Sequence, residues 1–215
     1  MTIKHHPDIT TLMSCAAGSQ PEAMAAVVAS HLAVCPACAV QVSKLERIGE
    51  ALFDRIEPVR LDRAAPVAAA RALEAGDARS AGSHTAPGEI PWPLISIIGS
   101  ELDAIAWKRL GPGLWHYPLK LSKDARGDLR LIKVAPGCKL PEHGHGGEEM
   151  TLILRGSYTD VTGHYSVGDV ADLDPDIEHA PLTGAGEGCI CLIASEKPAR
   201  FKGLFARIMQ PLAGL

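Results

Sequence analysis

The chain has 215 residues, a net charge of -4 at neutral pH, and 47% hydrophobic but only 4% aromatic residues. That length is comfortable for two domains of about 100 residues each, and the acidic balance offers no basic field to nucleic acid, so any effect on nucleic acid runs through another protein. No stretch approaches the roughly 18 to 20 apolar residues of a membrane span. The start, "MTIKHHPDITTLMSC", carries Lys4, His5, His6, Pro7 and Asp8 where a secretion signal needs an apolar run. The expectation is a cytoplasmic protein without a membrane segment, whose six cysteines stay reduced. Metal binding or thiol chemistry is then favoured over a disulfide framework.

From Asp8 to about Ala75 the pattern is helical. "TTLMSCAAG" stops at Gly18, and "SQPEAMAAVVASHLAV" opens with Ser19 as a cap and Pro21 near its first turn. In "PACAVQVSKLERIGEALFDRIEP" the residues Val42, Leu45, Ile48, Leu52 and Ile56 recur at three and four, one stripe of a helix that Pro58 ends. "DRAAPVAAARALEAG" reads as a further short helix. "GDARSAGSHTAPGEIPWP" is rich in Gly, Ser, Ala and Pro and reads as an interdomain linker, with His84 a solvated loop residue. From Trp92 onward the period becomes two. "GLWHYPLKLS", "GDLRLIKVAPG", "MTLILRGSYTD", "GHYSVGDVADL" and "GCICLIAS" are short runs bounded by Gly, Pro and Asp, the mark of a β-sandwich or barrel. The division expected is an N-terminal all-α domain over 1–88, with linker from about 75, and an all-β domain over 89–215.

Two clusters of metal donors stand out. In "HLAVCPACAV", His31, Cys35 and Cys38 lie at i, i+4 and i+7. Pro36 pushes Cys35 out of the helical region, so one helix ends near His31 and a new one starts at Pro36, with both cysteines at its N-terminus. Zinc takes four tetrahedral donors from Cys and His. Three are here; the nearest further donors are His5 and His6, and spacing leaves both open. A thioredoxin-type redox pair would follow a strand, whereas a helix precedes this one.

An upstream His followed by His-x-x-x-Cys-x-x-Cys between short helices resembles the zinc-binding anti-sigma domain of bacterial regulators. In that family a small helical domain wedges between the two DNA-binding domains of an extracytoplasmic-function (ECF) sigma factor and keeps it off RNA polymerase core. The resemblance covers the first third of the chain and implies zinc on His6, His31, Cys35 and Cys38.

The second cluster is "GCKLPEHGHGGEEMTLILRG", from Gly137 to Gly156. His143 and His145 project to one face of a strand, Glu149 follows four later, and Gly156 seven after that. His179 lies eleven after Gly168. The pattern is very like the two cupin motifs and implies a jelly-roll barrel with a metal on His143, His145, Glu149 and His179. Pro175 is displaced by one from the usual position, and Asp176 stands where Gly is common. Three His and one carboxylate suit several divalent metals. Cys189 and Cys191 alternate along one strand and face one side. They are either packing residues or a candidate redox pair, their Cα atoms near the outer limit for a disulfide. Cys15 and Cys138 read as core residues.

A zinc anti-sigma domain followed by a cupin barrel is similar to the ChrR-type anti-sigma factors over nearly the whole chain. The resemblance implies a multidomain, non-enzymatic inhibitor with two zinc ions per chain. It further implies a 1:1 complex with an ECF sigma factor and a barrel needed for release in response to singlet oxygen. The segment from Met1 to about Ala86 is expected to inhibit alone, since Leu45, Ile48, Leu52 and Phe53 offer more apolar surface than so small a domain can bury. The alternatives are a cupin metalloenzyme, an iron dioxygenase or isomerase with a helical accessory domain, and a sensor whose barrel binds an organic ligand.

Overall fold

The computed structural model describes residues 2–59 and 89–201. Helix α1 (Ile9–Ala16) opens on Asp8, whose carboxylate accepts from the amides of Thr10 and Thr11. Gly18, just past its end, has φ 65°, the left-handed conformation that closes a helix. Helix α2 (Glu22–Leu32) starts directly after Pro21. The cap expected from Ser19 is not used, because its hydroxyl turns back to the Ser14 carbonyl at 3.3 Å. Helix α3 (Pro36–Phe53) begins as the sequence predicts, with Cys35 extended (φ -116°, ψ 94°) and Pro36 at the first helical position. It ends at Phe53 rather than at Pro58. There the chain tightens, the amides of Arg55 and Ile56 donating to the carbonyls of Leu52 and Phe53 at 3.1 and 3.0 Å, which satisfies terminal carbonyls in tighter turns.

The further short helix and most of the linker, with His84, lie outside the described residues. Where period-two strands were expected to begin there is instead a helix, α4 (Trp92–Ile98), with Pro91 before it and a proline in its first turn, both favouring helix initiation. A 3-10 turn at Leu102–Ala104 follows. Arg155 donates to both Glu89 and Asp103, clamping this entry segment to the sheet. Among the described residues no helix is long and apolar enough to cross a membrane.

Among the described residues eleven strands follow: β1 (Lys108–Gly111), β2 (Leu114–Pro118), β3 (Asp128–Val134), β4 (His143–Gly144), β5 (Glu149–Thr159), β6 (His164–Ser166), β7 (Val170–Leu173), β8 (Glu178–His179), β9 (Leu182–Thr183), β10 (Cys189–Ser195) and β11 (Arg200–Phe201). The larger sheet runs β1-β2-β3-β10-β5-β6, with β7 and β9 also on β5, and the smaller runs β11-β4-β8. The pairings are antiparallel, as a cupin-like barrel requires. The run "GHYSVGDVADL" splits into β6 and β7, because the Asp169 amide closes a turn onto the Ser166 carbonyl at 2.9 Å. Gly156 is required on β5: its φ is 72°, and a Cβ there would lie 2.1 Å from the Gly188 carbonyl oxygen.

The centre of the large sheet is buried on both faces. Along β3, β10 and β5, Leu131, Leu192 and Leu152 point outward, while Ile132, Cys191 and Ile153 point into the barrel. Helix α2 covers the outer face, packing on β10 and β5. Its small and branched side chains, Ala23, Val27 and Val28, are almost wholly buried there and share one apolar cluster with the sheet. Burying each Val contributes about 1.5–3 kcal/mol. Helix α3 differs. Val42 is buried and Leu45 partly so, but Ile48, Leu52 and Phe53 are 58%, 59% and 72% exposed, and Ile56, just past the helix end, is 65% exposed.

Candidate metal centres

The first cluster forms at the break between α2 and α3. One ligand atom each from His6, His31, Cys35 and Cys38 lie within 4.8 Å of one another. Nδ1 of His6 sits 3.5 Å from the Cys35 sulfur and 3.3 Å from that of Cys38. His6, not His5, therefore completes the group; the His5 ring instead packs against Tyr165, tilted by 40° with centroids 4.4 Å apart. His31 is wholly buried, and its Nδ1–H donates to the Gly168 carbonyl at 2.9 Å. Burial, outweighing that bond, lowers its pKa to about 4, so the ring is neutral and Nε2 carries a bare lone pair. That Nε2 is one of two buried side-chain atoms without a hydrogen-bond partner among the described residues. An orphaned imidazole nitrogen facing two thiols and a second imidazole suits a soft tetrahedral cation. Without one, burial and the Cys35 sulfur push the Cys38 thiol up to about 12, leaving it protonated.

The second cluster bridges the two sheets. His143 on β4 and His179 on β8 are register partners, His145 follows β4, and Glu149 opens β5. All four are buried, with one ligand atom each inside 4.8 Å. Nε2 of His179 lies 3.1 Å from that of His143 and 3.2 Å from that of His145. Nδ1 of His143 faces the Pro141 carbonyl at 2.9 Å and must donate to it. Burial holds the His143 ring below its ordinary pKa and therefore neutral. Nδ1 of His179 is 2.7 Å from Asp160. With Nδ1 of His143 committed to Pro141 and Nδ1 of His179 facing Asp160, the Nε2 atoms of the two rings are left turned toward each other, an arrangement suited to a shared cation. Glu149 Oε2 lies 3.2 Å from Nδ1 of His145. A cavity of about 410 Å³ opens beside the cluster, walled by Leu114, Ile132, Leu140 and Ile193 and reaching His143 and Glu149.

Two residues escaped the sequence reading. The Asp160 side chain is fully buried behind His179. Burial would raise its carboxyl, but hydrogen bonds from His179 and Thr162 outweigh that and hold it below the ordinary range. Asp169, also fully buried, anchors the N-terminal segment. Neither belongs to a ligand motif; the only hint was that each is an acid in a turn that contains a glycine, Gly163 or Gly168. Cys189 and Cys191 lie side by side inside the barrel among Ile132, Val134 and Ile153. The Cys189 contact and burial raise the Cys191 thiol well above its usual value, and a protonated thiol is a weak nucleophile. Cys15 and Cys138 are partly buried at the edges of the two apolar clusters.

Fold and clusters together define a cupin protein with a helical N-terminal layer and one donor cluster in each part. Residues 97–198 match the ChrR Cupin-like domain family. Anti-sigma-E factor ChrR of Cereibacter sphaeroides is 34% identical over 211 residues, 98% of each chain. The crystal structure of Rhodobacter sphaeroides SigE in complex with the anti-sigma ChrR contains a chain that superposes with a TM-score of 0.75. The two are 32% identical, over 90% of this chain and 99% of that one. The chain belongs to the ChrR family of anti-sigma factors, which are regulators rather than enzymes.

Proposed function

We propose that this chain binds and inhibits an ECF sigma factor in a 1:1 complex in the cytoplasm. The inhibitory part is the helical domain, residues 1–88, and the cupin domain, 89–215, governs release in response to singlet oxygen. One observation carries the reading: in a chain of the anti-sigma family, the exposed apolar residues Ile48, Leu52 and Phe53 lie at the far end of the helix that starts at the Cys35–Cys38 turn, and Ile56, exposed too, follows just past its end. Exposed apolar residues gathered at one helix end mark a surface made for a protein partner. Zinc on His6, His31, Cys35 and Cys38 fixes the N-terminus of α3 and with it the direction of that helix. A second zinc on His143, His145, Glu149 and His179 ties the two sheets of the barrel together. When bound, each ion supplies structural cross-linking; holding the ligand rings in one tautomer falls to Gly168, Pro141 and Asp160. Singlet oxygen then acts on a barrel ligand or on the Cys189–Cys191 pair and loosens the barrel.

The test is co-expression of the full chain with ECF sigma factors from its host, followed by copurification and a transcription assay with core polymerase. A 1:1 complex that loses transcription is expected; a folded, zinc-loaded chain that neither binds nor inhibits any of them sinks the proposal. The apolar cavity of about 410 Å³ at the barrel cluster favours one second reading, that the barrel senses a small organic molecule. Release by such a molecule in the dark, with no oxidant present, would select it.

A further inference from the structure

The first metal cluster is encoded within the first forty residues, yet half of it is held in place by the barrel. The segment Ile3–His6 lies against the turn between β6 and β7. One carboxylate oxygen of Asp169 accepts from the amides of Lys4 and His5 at 2.7 and 3.0 Å. The other accepts from the amide and hydroxyl of Ser166 at 2.8 and 3.0 Å, which closes the turn itself. The next amide along, that of Val170, donates to the His5 carbonyl at 3.1 Å. Two residues beyond His6, the Asp8 amide reaches Asp172 on β7 at 3.0 Å. His6 is thus suspended between two anchor points on the barrel. His31, on the far side of the cluster, is oriented by the carbonyl of Gly168, the residue before Asp169. Gly168 is needed for this approach: its φ is 89°, and a Cβ would lie 2.8 and 2.9 Å from the Ile3 side chain.

We infer that Asp169 and the Gly168 carbonyl are positioning groups of the first metal centre, so that the barrel sets how firmly the helical part holds its metal. Two of four ligands depend on one turn of the other domain. The Asp169 carboxylate has divided duties, one oxygen for the turn and one for the incoming segment. A residue needed only to close the turn would not spend its second oxygen on Lys4 and His5. Release of the β6–β7 turn then frees the His6 backbone and removes the partner that fixes the His31 tautomer, while Cys35 and Cys38 stay on α3. Ligand supports of this kind are worth about 10–100-fold in metal affinity. The inference rests on the reading that this cluster binds a metal, and goes beyond it by assigning control of that metal to the barrel.

Cobalt(II) loading of the full-length protein tests it. Only the first centre contains thiolates, so thiolate-to-cobalt absorption reports that centre alone, and total bound metal reports the barrel by difference. The variants are Asp169→Ala, Asp169→Asn and Lys4→Pro; the last removes one N–H donor to Asp169 without touching the barrel or a ligand. Loss of the thiolate band to a chelator should be about 10–100-fold faster in Asp169→Ala and faster in Lys4→Pro, with barrel metal retained. Asp169→Asn, which keeps one oxygen for the Lys4 and His5 amides, should fall between parent and Asp169→Ala. Stripping at the parental rate in Lys4→Pro and in any folded Asp169 variant overturns the inference. So does loss of both metals together in every variant, which would make Asp169 a folding residue of the barrel. If Asp169→Ala does not fold, Lys4→Pro decides. A parent without any thiolate band overturns the metal reading itself.

Discussion

The two donor clusters solve the same problem in opposite ways. The barrel cluster is buried at all four positions, lacks sulfur, and draws every ligand and the supporting Asp160 from within the barrel. The helical cluster keeps His6 exposed, uses two cysteines, and borrows its supports from the barrel turn at Gly168 and Asp169. The first kind of centre is complete within one domain, whereas the second depends on contact between the two. The difference shows how closely the helical layer is tied to the barrel in the whole chain. Helix α2 seals the outer face of the large sheet, and a segment ending near residue 86 would bare Met24, Val27 and Val28.

The contrast can be broken or sharpened experimentally. The largest effect is expected from Cys38→Ser, which should abolish metal binding at the helical centre, leave one metal per chain and remove inhibition of the sigma factor; metal analysis alongside a transcription assay reads both. Next comes His143→Ala, which should empty the barrel centre while basal inhibition persists, and should blunt induction by a photosensitiser in light; a parental response would remove the barrel centre from the signal path. Asp160→Ala leaves the buried Nδ1–H of His179 unpaired and should weaken barrel metal about 10–100-fold, measured by chelator competition, with the thiolate centre unchanged. Phe53→Ala should weaken partner binding by about 1–3 kcal/mol in titration calorimetry without changing the thermal midpoint of the free chain, because Phe53 is 72% exposed.

The smallest effect is one of pH. Burial alone would raise the Asp169 carboxyl, but hydrogen bonds from His5, Ser166 and Lys4 hold it below its ordinary value. A lowered carboxyl pKa gives stability that is present above the unfolded value of about 3.9 and is lost as pH falls through the lower folded value. The stability gap between parent and Asp169→Asn should therefore be constant near neutrality and shrink only below about pH 4; urea unfolding across that range reads it.

The two groups of donors that the structure brings together were legible because metal chemistry fixes both residue type and spacing. His-x-x-x-Cys-x-x-Cys and His-x-His-x-x-x-Glu each place their donors locally, and Pro36 announced where α3 would start. The choice between His5 and His6 was not legible from spacing, since neighbouring residues differ only in which way the backbone presents them. Here the Asp169 bonds turn His5 toward Tyr165 and His6 toward the sulfurs. Asp160 and Asp169 were hidden for a related reason: a carboxylate that supports a ligand from another strand carries no spacing signature. The longer strands were found through their period of two, while the short β1, β9 and β11 give too few residues for a period to show; β10, apolar on both faces, carries no sign of what covers its outer side. That cover is α2, whose alanines read as helix propensity when they are also the condition for close packing. Helix α4 was missed because "PWPLISII" combines two prolines with branched residues, and there the prolines set the backbone.

The bond from the Lys4 amide to Asp169 spans 165 positions of chain. Synthesis on the ribosome runs from one end of that span to the other at about 5–20 residues per second, so Asp169 is made roughly 8–33 s after Lys4. During that interval the nascent N-terminus already carries all four donors of its cluster but neither of their supports. If Asp169 positions that centre as inferred, the order of translation separates capture of the ion from its secure retention, and the newly made chain would become fully metal-tight only once most of its own barrel has left the exit tunnel.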